Sequence, residues 1–207
     1  MLGCGPSNPA GVMSPTIEEP LTLWLARLRD GQHDALEHIV HILYDELRRV
    51  ARRQLSRERS PHALSATTLV HEAYLRLVRQ RQLGAVDRPG FLAVAGHTMR
   101  RILVDEARAR KRMKRGGNEP VRSLDEEFHS PIMDADVDQV LALDALLERL
   151  AAMNERAARV VEYRIFAGLT LEETATALDM SVKTVQRTWT TARAWLRKEL
   201  ATDRLPT

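Results

Sequence analysis

The sequence is short of the residues that staple, punctuate or span. It has one cysteine, Cys4, in 207 residues, which excludes a disulfide framework and a cysteine-based zinc cage. Aromatic residues make up 4% of the chain. Glycine and proline are sparse after residue 20. Both shortages argue against an all-β fold of short strands and tight turns. No run approaches the roughly 18 uninterrupted apolar residues that mark a membrane-spanning helix. There is no Gly-rich phosphate loop and no nucleophile elbow. What remains is 44% apolar residues, enough for a packed core, in a length that suits one large domain or two small ones.

The net charge of +3 hides a strong asymmetry. Residues 1–20 carry −2 and residues 21–115 carry +10, with 20 bases against 10 acids. Residues 116–138 carry −6, and residues 139–207 carry +1. A basic block, an acidic segment and a mixed block read as two modules joined by a flexible acidic linker. A basic block of this kind either faces a polyanion or is a solvated, Arg-rich helical surface.

Residues 1–20 hold four prolines, three glycines and no apolar period, and read as a disordered leader. Leu2-Gly3-Cys4 is superficially like a lipoprotein cleavage site, but no basic and apolar stretch precedes it. Met13 is an alternative start that would remove Cys4. The protein is expected in the cytoplasm, with no membrane attachment.

Helical periodicity follows. Leu36, Ile39, Val40, Leu43, Leu47 and Val50 mark one buried face, with Arg48, Arg49, Arg52 and Arg53 opposite. Ser65 caps a second helix with the face Leu69, Val70, Ala73, Leu77 and Val78. After a loop from Gln80 to Arg88, Pro89 fits the first turn of a third helix. Its face is Phe91, Leu92, Ala95, Met99, Ile102 and Leu103, and Gly96 within it predicts the close approach of another helix. This helix ends in eight bases within residues 100–115, opposed by Asp105 and Glu106. That exceeds what a helix C-terminus needs and suggests a nucleic-acid face. Gly116-Gly117 ends the run. Residues 116–138 lack a helical period; extended, they reach roughly 75–80 Å at about 3.3–3.6 Å per residue.

The second module is more explicit. Val140, Leu141, Leu143, Leu146, Leu147 and Leu150 mark one helix, and Val160, Val161, Ile165 and Phe166 another, which Gly168 closes in a left-handed conformation. Thr170-Leu171-Glu172-Glu173 is a capping box. Asp179-Met180 make a turn, and Ser181 caps a final helix to about Glu199. Two helices joined by so short a turn are a helix-turn-helix candidate. The last helix offers Ser181, Lys183, Thr184, Gln186, Arg187, Thr190 and Arg193 outside its apolar stripe. Gln and Arg can read adenine and guanine edges in a major groove, and Lys183 and Arg193 can hold phosphates.

The stretch LTLEETATALDMSVKTVQRTWTTARAWLRKEL resembles region 4 of bacterial sigma factors. LYDELRRVARRQL resembles the start of region 2 of the extracytoplasmic-function (ECF) group of the sigma-70 family. SATTLVHEAYLRLVRQ is similar to the helix that docks on the polymerase clamp, and RPGFLAVAGHTMRRILVDEARARKRMKR to the helix that meets the −10 element. The resemblance covers roughly residues 21–200. It implies an all-α protein of two small helical domains, region 2 at 21–115 and region 4 at 139–200, with a tail at 201–207.

The same resemblance implies an initiation subunit that is not an enzyme and needs no cofactor, that binds the clamp and flap of core RNA polymerase, and that directs promoter recognition and melting. Double-stranded promoter DNA and the melted −10 strand are the implied nucleic-acid partners, and an anti-sigma factor is a candidate further partner. Leu69, Glu72 and Arg76 are the implied polymerase contacts. Arg81, Arg88, His97, Arg100, Arg101, Arg108, Lys111, Arg112 and Lys114 are the implied contacts to the −10 DNA, and the recognition-helix residues above take the −35 element. The sequence departs from the family pattern at Thr67, Thr68 and His71, with Glu72 keeping the charge there, and at Thr98, where many relatives carry Asn. Trp189 and Trp195 are expected to pack rather than stack on bases.

Two other readings compete. One is a stand-alone helix-turn-helix regulator whose N-terminal module senses a signal or dimerises. The other is a metal-dependent nuclease using His33, His38 and His41 near Asp34 and Glu37. It lacks an HExxH pattern and any assisting cysteine, so these are expected to be surface histidines. If the basic tail of the third helix is a DNA face, Lys114→Ala will weaken binding with little sequence dependence and flatten the salt response, by about one unit of slope. Titrations at several salt concentrations check this, and an unchanged slope refutes it.

Overall fold

The computed structural model describes residues 20–55, 64–80, 87–115 and 131–202, the side chains of 114, 115 and 131–136 excepted. The leader, the loop residues 81–86, the acidic stretch 116–130 and the tail after 202 lie outside these. Every regular element among the described residues is helical. The N-terminal lobe is α1 (Leu21–Arg29), α2 (Ala35–Ile42), α3 (Tyr44–Leu55), α4 (Ala66–Val78) and α5 (Arg88–Arg115). The C-terminal lobe is α6 (Pro131–Met153), α7 (Glu155–Glu162), a π-helical turn (Tyr163–Ala167), α8 (Leu171–Leu178) and α9 (Val182–Thr202).

The N-terminal lobe buries Leu36, Ile39, Leu43, Leu47 and Val50 as the periodicity predicts. The single helix expected there is two, broken at Leu43, where ψ turns to 10°. The break keeps the apolar phase, because Leu43 N–H still bonds Ile39 O and Leu47 N–H bonds Leu43 O, both at 2.9 Å. A period-based reading passes straight over such a joint. Ser65 caps α4, its Oγ accepting from Thr68 N–H at 3.0 Å. Val78, placed on the buried face by its spacing, is 43% exposed at the end of that helix. Pro89 lies in the first turn of α5, where Asp87 Oδ1 also accepts from Gly90 N–H at 2.7 Å. The 28-residue α5 is the spine: one flank packs on α3 and α4, another on the C-terminal lobe.

The C-terminal lobe begins earlier than expected. Residues 131–138, read as linker, form the first turns of α6, and Pro131 opens the helix where a missing N–H costs nothing. The reach of the acidic segment is correspondingly reduced, since helix rises about 1.5 Å per residue against about 3.3–3.6 Å extended. Asn154 caps α7. Gly168 is left-handed at φ 73°, as expected, but the turn before it is π-wound. The capping box forms in full, with Thr170 Oγ1 accepting from Glu173 N–H at 3.1 Å and Glu173 Oε2 accepting from Thr170 N–H at 2.8 Å.

The lobes share apolar contact. Ala167 and Leu169, from the C-terminal half, complete the buried cluster of the N-terminal lobe. Gly96 is where they meet: a Cβ there would stand 3.0 Å from the backbone of Ala167. The close approach that Gly96 predicts is therefore to the π turn. Gln54, 5% exposed, donates through Nε2 to Gly96 O and Phe166 O, both at 3.0 Å. It ties α3, α5 and the π turn at one point.

Thr170→Ala removes the hydroxyl half of the capping box and should cost about 1 kcal/mol. A lower denaturant midpoint with an unchanged slope is the expected result. An unchanged midpoint would show that α8 does not depend on its cap.

Candidate nucleic-acid interface

The last three elements build a helix-turn-helix from local signals. After α8, Asp179 takes the left-handed region at φ 51°, ψ 54°, the one positive φ among the described non-glycine residues. Asp tolerates this better than most side chains. Met180 N–H then bonds Ala175 O at 2.9 Å, and Ser181 Oγ accepts from Thr184 N–H at 3.2 Å to start α9. Beneath the turn, Val160, Ala175 and Val185 are buried, with Leu171, Leu178, Met180 and Trp189 packed against them.

This core leaves one face of α9 outward. Ser181, Lys183, Gln186, Arg187, Thr190 and Arg193 are exposed, and Thr184 is half-buried. Thr184 and Thr190 are partly committed, the first to Ser181 Oγ at 2.8 Å and the second to Gln186 O at 2.9 Å. Arg193 and Arg164 both lie over the Trp189 ring, 5.9 and 5.7 Å from its centroid. Trp195 packs in the C-terminal cluster, with Arg149 over it. Both tryptophans are packing groups, as expected. Lys183, Gln186 and Arg187 keep free ends in the first turns of α9, the part of such a helix that can enter a major groove.

The basic residues of α5 are arranged differently. Five of the nine expected −10 contacts are paired with carboxylates of the C-terminal lobe. His97 faces Glu162 at 3.4 Å. Arg100 lies between Asp144 at 3.1 Å and Glu162 at 3.3 Å. Arg108 reaches Asp144 at 3.0 Å and Lys111 reaches Asp138 at 2.7 Å. Arg88 bridges Glu46 of its own lobe and Glu173 of the other, the latter at 2.8 Å. Arg101 and Arg112 are exposed. Arg81 and the Lys114 side chain lie outside the described residues.

The expected polymerase contacts are also sorted by burial. Leu69 is 0% exposed; it belongs to the core and offers no surface to a partner. Glu72 is exposed. Arg76 pairs with Asp105 at 2.8 Å, bracing α4 against α5. Leu75 and Val78 are exposed on α4, and neither was singled out as a contact from the sequence. Their signal is weak, because an apolar residue one step off a helix stripe looks like core. Asp144 left a clearer trace. It interrupts the apolar stripe of α6 between Leu143 and Leu146, and is 8% exposed; a buried acid needs a cation, and Arg100 and Arg108 supply it.

The charges are tuned by these contacts. The Arg88 guanidinium is held above its usual value, chiefly by bonding to Glu46 and then to Glu173. The Glu173 carboxyl is held below the usual glutamate value, first by the Thr170 backbone N–H, against burial, and then by Arg88. Burial is the largest influence on Glu162 and pushes it up. Bonding to His97 and the charges of His97, Arg100 and Arg159 outweigh it, so the carboxyl sits below the ordinary value.

Among the described residues no three His, Cys, Asp or Glu side chains come together in a way that could hold a metal ion. His38 stacks on Trp24 with centroids 3.9 Å apart, and His33 Nε2 lies 3.2 Å from Gln80 O. No helix among the described residues is long and apolar enough to cross a membrane.

Residues 18–202 match the family model described as ECF sigma factor. No curated protein matches the chain.

Glu162 and Glu173 have folded-state values below their unfolded ones. Each therefore contributes stability that is complete above the ordinary value of 4.5 and is lost as pH falls through the lower folded value. Denaturant midpoints should fall as the pH is lowered from the ordinary value of 4.5 through the lower folded value, and Glu162→Gln should flatten part of the fall. An identical pH profile in the variant would show that this carboxylate does not couple to folding.

Proposed function

The chain belongs to the ECF sigma factor family, whose members act in transcription initiation, and we propose that it binds core RNA polymerase and directs both recognition and melting of promoters. The observation that carries the reading is the outward face of α9. It is a polar stripe of Lys183, Gln186, Arg187, Thr190 and Arg193 on a capped helix-turn-helix, in a chain whose family match spans both lobes. In this reading α9 lies in the major groove of the −35 element. Gln186 and Arg187 read base edges, while Lys183, Arg193 and the Ser181 end of the helix hold phosphates.

The N-terminal lobe then supplies the other contacts. The exposed face of α4, with Glu72, Leu75 and Val78, docks on the polymerase clamp; Leu69 supports that face from beneath. The basic flank of α5, with Arg101, Arg108, Lys111 and Arg112, meets the −10 DNA, and the loop from Gln80 to Arg88 holds an unpaired base. The acidic segment 116–130 suits a channel built for nucleic acid, and α9's lobe also rests on the polymerase flap. No chemistry is required of the chain itself. An anti-sigma factor and a cytoplasmic location belong to the same reading.

Run-off transcription from genomic fragments with core polymerase, and mapping of the start sites, tests this. Promoter-specific transcripts are expected; failure to bind core polymerase refutes it. Tight binding to a palindrome without polymerase would favour a stand-alone regulator. Arg187→Ala should cost about 1–3 kcal/mol and relax specificity at one −35 position. Equal weakening on all sequences would mean that Arg187 touches phosphate only.

A further inference from the structure

The seam between the lobes holds a feature that the initiation reading leaves unused. Two clefts open side by side there, of about 200 and 370 Å³, and share Arg53, Gly168 and Leu169. The larger is of a size that takes a small organic ligand. Arg49, Arg53, Arg88 and Arg164 line the pair, against Glu46 and Glu173. Arg88 already holds both glutamates. Around the larger cleft the described residues include Arg53, Arg164 and Trp189, and no acid. We propose that this cleft binds a nucleoside phosphate, with the phosphate between Arg53 and Arg164 and the base against Trp189.

The fold places each of these groups. Arg49 and Arg53 are four residues apart on α3 and share one helix face with Glu46 and Val50. Arg164 projects from the π turn. It donates through Nη1 to Leu169 O and lies 5.7 Å from the Trp189 ring centroid. Its Nε is buried without a hydrogen-bond partner among the described residues. An unmet buried donor is costly, and an anion in the cleft that Arg164 lines offers the acceptor. Gly168 makes room for Arg53: a Cβ at position 168 would overlap Arg53 Nη1. The left-handed φ of 73° does not by itself demand glycine, because Asn also closes helices in that region.

The chemistry of the walls selects the ligand. Guanidinium groups stay charged and pair with phosphate through two parallel bonds. An indole offers a stacking surface to any base. Inorganic phosphate leaves the indole unused, and a neutral nucleoside leaves the arginines unused. A terminal phosphate carries close to two charges near pH 7, against one on each phosphate of a DNA backbone. Two arginines converging from separate lobes match the terminal group better than the continuous chain.

The test is isothermal titration calorimetry of the full chain with adenosine and guanosine 5′-diphosphates, with pyrophosphate and adenosine as the separate halves. One saturable site per chain is expected, about tenfold tighter for a nucleotide than for either half. Arg53→Gln changes an exposed side chain and should weaken nucleotide binding about tenfold. Gly168→Asn keeps the left-handed turn but displaces the Arg53 guanidinium, and should weaken binding as much with every arginine in place. Circular dichroism checks that each variant is folded. Nucleotide should raise the thermal midpoint of the wild type and leave those of the variants unmoved. No saturable binding to the wild type, or unchanged binding in both folded variants, overturns the site. Pyrophosphate binding as tightly as the nucleotides overturns the contact with Trp189. Displacement of nucleotide by a duplex of random sequence, with duplex binding equally lost in Arg53→Gln, makes the cleft a DNA-backbone contact and overturns the small ligand. Core polymerase enters none of these measurements, so a failure of the initiation reading and a failure of this site are separate results.

Discussion

One approach governs the rest of the molecule: the backbone at Ala167 comes so near to α5 that a Cβ at position 96 would stand 3.0 Å from it, and the turn would have to give way. From that contact the other features of the seam follow. Phe166 O is brought within reach of Gln54, Leu169 drops into the N-terminal core, and α7 is laid alongside α5 so that Glu162 meets His97 and Arg100. The π turn is what makes the approach. Its wider winding separates Val160 and Val161, which serve the C-terminal cores, from Ala167, which serves the other lobe.

Charge is the second layer. The excess of bases in residues 21–115 is concentrated where α5 leaves its own lobe, and the acids of the C-terminal half are placed to meet it. The exposed pair Lys111–Asp138 contributes little in water. Asp144 differs, because its burial makes the two arginines obligatory partners. Glu173 has two tasks, one oxygen on the Thr170 N–H and the other on Arg88, so the helix cap and the seam share a single carboxylate.

Features set by a few neighbouring residues were legible in the sequence: the Ser65 and Ser181 caps, the Thr170–Glu173 box, the left-handed Gly168 and Asp179, and the all-helical fold. Each depends on a hydrogen bond or a dihedral within four residues, where composition decides. Gly96 was legible as a close approach but not as to what. The break at Leu43, the exposure of Val78 and the start of α6 at Pro131 were not legible, because helical phase continues through the first, stops one residue short of the second, and is faint at the third. The outward polar face of α9 could be read because it is what remains after the stripe is removed. The engagement of α5 could not, since it joins residues 27–85 positions apart, and no local pattern reports such pairs. Leu69 differs: its spacing on the apolar face of the second helix already placed it inward, as its burial shows, and only the family resemblance made it a polymerase contact.

The sharing of one core between two distant stretches has a consequence for the chain as it is made. The N-terminal lobe leaves the ribosome with its helices complete but its apolar surface at Gly96, Leu92 and Leu103 still lacking Ala167 and Leu169. The roughly 65 residues from Leu103 to Leu169 take about 3–13 s to synthesise at about 5–20 residues per second. For that interval the nascent lobe carries an uncovered greasy patch beside a dense array of guanidinium groups, on a particle made largely of RNA. Vectorial synthesis thus opens a period of vulnerability that ends when the π turn emerges and covers the patch.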